Sequence, residues 1–178
     1  MTLEDLTLDV EQHIDIKATP EKAFAAVLHR FGKGNTRPDG ESLQLLLEPK
    51  PGGRWYRDRG EGVGPLWGFV QVIKPPSLLE LSGPMFMSYP ANNHVEIKIE
   101  PVSGGCRVAL RHRALGMIDP QHRKGVGTGW GHMLATLAKA GVRMSWSVGE
   151  HSRSRPIVYT FLSPAILRTR TRRKIPGQ

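Results

Sequence analysis

Residues 10–24 read Val10-Glu-Gln-His-Ile-Asp-Ile-Lys-Ala-Thr-Pro-Glu-Lys-Ala-Phe24, and two structural periods meet inside them. Val10, Ile14 and Ile16 alternate with Glu11, His13, Asp15 and Lys17, which predicts a half-buried strand over residues 7–18. At Thr19 the period changes. A threonine oxygen caps a helix start well, Pro20 suits the first helical position, and the Glu21 charge complements the helix dipole. Phe24, Val27, Leu28 and Phe31 then recur at helical spacing, and the helix is expected to stop near Gly32. A polar loop follows, with a turn at Pro38-Asp39-Gly40.

The segments after this strand and helix are short and extended. Leu43 to Leu47 is apolar, and Pro51-Gly52-Gly53 turns the chain into the aromatic stretch Arg54 to Arg59. Leu66 to Ile73 reads as a strand, Lys74-Pro75-Pro76 breaks it, and Leu78 to Leu81 resumes. Residues 83–93 look irregular. His94 to Glu100 and Cys106 to Arg113 both alternate, joined by the hairpin turn Ser103-Gly104-Gly105. After Asp119-Pro120, Trp130, Met133, Leu134 and Leu137 follow i, i+3, i+4, i+7, which predicts an amphipathic helix of about four turns ending near Gly141. Gly125, Gly127 and Gly129 precede that stripe and weaken the first turn, or let the helix approach another element closely. The order is strand, helix, about six strands, helix. Consecutive hairpin-linked strands with helices at the ends predict an α+β fold with an antiparallel sheet whose apolar face the last helix covers.

The net charge of +9 over 178 residues is unevenly spread. Residues 1–140 carry 17 Lys+Arg against 15 Asp+Glu, whereas residues 141–178 carry 8 Lys+Arg against Glu150 alone. The basic excess belongs to the tail, so the main domain lacks the footprint of a specific nucleic-acid binder. The expected organisation is one domain over 1–141 and a basic, disordered tail over 142–178, whose run from Arg168 to Lys174 offers a contact with anionic membrane surfaces as the weaker reading. No apolar run approaches the roughly 20 residues of a membrane span. The acidic start does not read as a secretory signal, and Cys106 stands alone, which together predict a cytoplasmic protein.

Several local patterns add up to a family resemblance. Ile14 to Phe24 resembles the first strand and helix of the SRPBCC (START-like, birch-pollen-allergen-like) superfamily, and more narrowly its branch of heat-shock-protein ATPase activator homologues. Pro51-Gly-Gly-Arg-Trp-Tyr56, Gly68 to Leu81, Leu110-Arg-His112 and Gly129-Trp-Gly-His-Met-Leu134 resemble that branch's later strands and closing helix, in the same order. The resemblance spans about residues 7–141. It implies a helix-grip fold, a curved antiparallel sheet wrapped around a long C-terminal helix with an apolar cavity between them. It does not select one function, because members carry lipids, bind hormones, cyclise polyketides or interact with chaperones.

Within that frame, the residues expected to line a ligand site are Trp55, Trp67, Phe69, Met85, Met87, His112, Trp130, Met133 and Leu137. Alternation sends Trp55 and Tyr56 to opposite faces and puts Trp67 and Phe69 on one. His112 shares the apolar face of Val108 and Leu110, where it needs a hydrogen-bond partner. Met85, Phe86, Met87 and Tyr89 form either a lid or a plug. Arg54, Arg57, Arg59, Arg111 and Arg113 read as a solvated outer face. An enzyme of the cyclase or hydratase kind would use His112 with Tyr56 as its acid–base groups. No metal-ligand spacing, phosphate loop or nucleophile elbow is present, so neither metal nor cofactor is expected. The reading favours a domain that binds an apolar or amphipathic small molecule over an enzyme, with a chaperone or other protein partner as the alternative.

Overall fold

The first and last strands of the sheet meet. β1 (Thr7–Ile16) pairs antiparallel with β7 (Gly105–Gly116), from Thr7 opposite Leu115 to Ile16 opposite Cys106. A computed structural model describes residues 2–37, 39–87 and 89–143. Between the two paired strands run α2 (Pro20–Phe31), β2 (Leu45–Leu47), β3 (Arg54–Arg57), β4 (Leu66–Lys74), β5 (Leu78–Gly83) and β6 (Ala91–Val102). The seven strands form one antiparallel sheet in the order β1-β7-β6-β5-β4-β3-β2. A short α1 (Leu3–Leu6) precedes β1, and α3 (Pro120–Arg143) closes the described chain. This is the α+β helix-grip architecture the sequence predicts. The expected basic tail lies outside the described residues beyond Arg143.

The helix starts follow from local chemistry. Thr19 caps α2 by accepting from the Lys22 amide. In α1, which the sequence reading did not anticipate, Thr2 and Asp5 form a reciprocal capping box. The Asp119 carboxylate accepts the Gln121 and His122 amides at 2.8 and 3.1 Å and so starts α3. This start corrects the expected four turns, because α3 is 24 residues long and takes in Gly125, Gly127, Gly129 and Gly131. The glycines allow a close approach. Gln12 of β1 donates from Nε2 to the Gly127 carbonyl at 2.8 Å, and a methyl group on Gly131 would lie 3.4 Å from Gln12 Oε1. The segment 83–93 is likewise more regular than expected, since β6 begins at Ala91.

The inward face of the sheet packs on α2 and α3 through a core that includes Val27, Leu81, Ile97, Leu110, Leu134 and Leu137. Cys106 is buried in that core. The outward face carries ion pairs: Arg54 with Glu48, Arg107 with Asp15, and Arg111 with Asp9. Both partners of each pair are solvent-accessible, so each adds little to stability. Arg57 departs from the expected solvated row, because it is half-buried and donates from Nε to the Leu43 carbonyl at 2.7 Å.

One irregularity positions the site. Trp55 stands opposite Gly68, but the next pair is Tyr56 with Leu66, so Trp67 is an extra residue without a partner on β3. The bulge breaks the alternation. Trp67 turns toward the core together with Gly68, while Phe69, opposite the outward Arg54, is 43% exposed. The expectation that Trp67 and Phe69 share a face is therefore overturned, and Phe69 points away from the core that Trp67 joins.

Candidate functional site

A cavity of about 390 Å³ opens between the end of α2, the loop after it, the inner faces of β3 and β4, and the first half of α3. This volume lies within the range of small-molecule sites. Its apolar wall is a chain of rings, which the buried His112 joins from behind. Trp130 stacks on Phe31 with centroids 6.0 Å apart, and Phe31 meets Trp55 at 5.3 Å. Trp55 meets Trp67 edge-on at 5.0 Å, and Trp67 meets Phe86 at 6.0 Å. Phe86 then meets His112 at 6.5 Å, and His112 returns to Trp130 at 5.7 Å. Tilted and edge-on contacts at these separations are the favourable geometries for aromatic pairs.

Hydrogen bonds hold the rings in place. Trp55 Nε1 donates to the Phe31 carbonyl at 2.6 Å, satisfying a backbone acceptor at the end of α2. Trp130 Nε1 donates to His112 Nδ1 at 3.0 Å. His112 Nδ1 is therefore the unprotonated nitrogen, and Nε2 carries the proton and donates to Asn93 Oδ1 at 2.8 Å. Asn93 in turn donates to the Pro84 carbonyl at 3.1 Å. Burial, with the nearby His94 charge, pushes the His112 pKa down to about 4. His112 is thus a neutral, fully engaged core histidine that orients the Trp130 indole.

The sequence-predicted site residues divide cleanly. Trp55, Trp67, Trp130 and Met133 line the cavity. Leu137 is buried in the core beyond it, and Met85 and Met87 are buried too, so the segment between β5 and β6 contributes Phe86 to the wall instead. His112 supports the wall from behind. Tyr56 lies on the outer face, where the Arg54 guanidinium sits 4.7 Å from its ring centroid. The sheet separates Tyr56 from His112, and the proposed acid–base pair does not assemble.

The cavity also contains residues the sequence reading missed. Arg30, Thr36 and Arg37 reach it from α2 and its following loop. His122, in the first turn of α3, lines the opposite wall, stacks on Tyr89 at 5.5 Å and shares a 2.9 Å hydrogen bond with the tyrosine hydroxyl through Nδ1. Burial raises the Tyr89 pKa, so the phenol keeps its proton at neutral pH. A usable sequence signal existed for Phe86, an aromatic flanked by two methionines, but none marked Arg30 as buried. No helix among the described residues is long and apolar enough to cross a membrane.

Comparison with known proteins agrees with this geometry. The family model described as Activator of Hsp90 ATPase homolog 1-like protein matches residues 17–141. No curated protein matches the chain. Among solved structures, protein CV1439 from Chromobacterium violaceum is 18% identical over 75% of this chain and 96% of its own, with a TM-score of 0.60. Protein MLL2253 from Mesorhizobium loti is 18% identical over 78% and 99%, with a TM-score of 0.57. The di-domain ARO/CYC StfQ from the steffimycin biosynthetic pathway is 17% identical over 78% of this chain and 51% of its own, with a TM-score of 0.55. At such identities the likeness is one of fold. The family match runs through α2, the sheet from β2 to β7 and the body of α3, and the chain belongs to the Activator of Hsp90 ATPase homolog 1-like family of SRPBCC-type domains.

Proposed function

We propose that this domain binds an apolar or amphipathic small molecule with a planar portion in the cavity beneath α3. The observation that carries the reading is a cavity of about 390 Å³ lined by the rings of Phe31, Trp55, Trp67, Phe86 and Trp130. Rigid aromatic walls offer a large contact area, and the few polar groups among them orient what enters. The fold neighbour StfQ is named as an ARO/CYC protein of a biosynthetic pathway, which is consistent with a ring-shaped occupant. Binding is favoured over catalysis because His112 has both nitrogens engaged and is held neutral.

The neutral probe N-phenyl-1-naphthylamine tests the reading. Trp55, Trp67 and Trp130 line the cavity, so their emission is expected to be quenched saturably by one equivalent of probe. Gly129→Leu places a side chain into the cavity from a position where a Cβ meets nothing within 4 Å, and it is expected to abolish the quenching without unfolding the protein. Quenching that never saturates, or that G129L leaves unchanged, overturns the reading.

A further inference from the structure

Arg30 stands in the last turn of α2, is only 5% exposed, and lines the cavity. Its Nη1 donates to the Gly34 carbonyl at 2.5 Å and the Thr36 hydroxyl at 2.9 Å, and its Nη2 donates to the Thr36 carbonyl at 3.2 Å. All three acceptors are neutral. The Nε–H is buried without any acceptor. None of the ion pairs among the described residues includes Arg30. The carbonyl end of α2 supplies a fraction of a negative charge, well short of a counter-ion. An arginine is rarely buried without an anionic partner, because removing its charge from water is costly. Burial accordingly lowers the guanidinium pKa from its ordinary value.

The other arginines make the contrast sharper. Arg54, Arg107 and Arg111 each turn the Nε–Nη2 edge onto a carboxylate, at distances of 2.6 to 3.0 Å. Those three stand on the outer face, where water would solvate them anyway. Arg30 differs from these three in that its Nε is buried and has no acceptor. The cavity that Arg30 lines contains no Asp or Glu, but it does contain Arg37 and His122.

We propose that the molecule bound in the cavity is an anion, and that its carboxylate, sulfonate or similar oxyanion seats against Arg30 while its apolar body lies against the aromatic wall. This rests on the reading of the cavity as a ligand site. The Arg30 guanidinium is charged and fixed in advance by Gly34 and Thr36, so little conformational freedom is lost when the oxyanion arrives.

Two probes with the same phenylnaphthylamine body separate the claims on the full chain. 1-Anilinonaphthalene-8-sulfonate carries an anionic group, and N-phenyl-1-naphthylamine does not. The sulfonate is expected to bind roughly tenfold more tightly or better, the scale of one hydrogen bond to a charged group. Arg30→Gln is expected to erase that preference, read as the ratio of the two probes' affinities within the same variant, and Arg30→Lys to restore part of it. Equal affinity of the two probes for the native chain, or a preference that survives R30Q, overturns the anion proposal and leaves the cavity reading standing. Failure of both probes to bind overturns the cavity reading itself. Should R30Q not fold, the Arg30 Nε–H resonance of the native chain provides the test. It is expected to shift with the sulfonate and not with the neutral probe, and an unmoved resonance overturns the proposal.

Discussion

Replacing Gly125 and Gly129 together with alanine is expected to stabilise the domain and weaken binding in its cavity. Both glycines lie within α3, where each costs about 0.8–1.0 kcal/mol relative to alanine. A Cβ built on either meets nothing within 4 Å, so no steric penalty offsets the gain. The pair is therefore expected to add about 2 kcal/mol. Unfolding entropy near 2.1 cal/mol/K per residue gives roughly 0.3 kcal/mol per degree for a domain of about 140 residues, so the melting temperature rises by about 7 °C. Differential scanning calorimetry reads this directly. Both positions also line the cavity, so the two methyl groups take up space there and the affinity for N-phenyl-1-naphthylamine falls. Gly127 and Gly131 are left unchanged because Gln12 lies against them. An unchanged or lower melting temperature would refute the reasoning that these two glycines weaken α3 without a packing role.

Gly68→Ala is expected to act in the opposite direction. Its Cβ would stand 2.5 Å from the Ser82 carbonyl oxygen of the neighbouring strand, and overpacking of this kind costs about 1–3 kcal/mol, visible as a lower urea midpoint. His112 makes stability depend on pH. An unfolded histidine takes up a proton below its ordinary value near 6.5, whereas folded His112 stays neutral down to about 4. Its contribution is therefore complete above pH 6.5 and lost as pH falls toward 4, amounting to about 3 kcal/mol. Urea titrations at stepped pH show this loss, and His112→Gln is expected to flatten the curve in that window. A slope equal to the native chain's would refute the assignment.

The fold was legible in the sequence because its signals are local. The Val10 to Ile16 alternation, the Thr19-Pro20 cap and the Trp130 to Leu137 stripe each depend only on near neighbours, and their order determines the layers. The site was legible only in part. Trp67 and Phe69 look equivalent by alternation, and the bulge that separates them arises from pairing with β3. Arg30 follows the apolar positions of α2 and reads as an ordinary basic residue near a helix end. Its burial depends on where the loop over residues 34–37 returns, which no local period encodes. His112 was placed on the correct face, but its partners Asn93 and Trp130 come from β6 and α3, 19 and 18 residues away along the chain.

The pairing of β1 with β7 also governs the order in which the molecule is completed. β2 to β7 form a meander whose neighbours in space are neighbours in sequence, so each strand can dock as soon as it is made. β1 is synthesised first and is the exception. Its register runs from Thr7 with Leu115 to Ile16 with Cys106, so it has no edge to join until the last strand exists. During synthesis it is an alternating strand without a partner, the kind of segment that pairs wrongly when chains are crowded. α3 then ties the start of the chain down, as the Arg123 guanidinium donates to the Thr7 and Asp5 carbonyls. The rings of the cavity wall run from Phe31 to Trp130, so the cavity is complete only after nearly the whole domain has been translated.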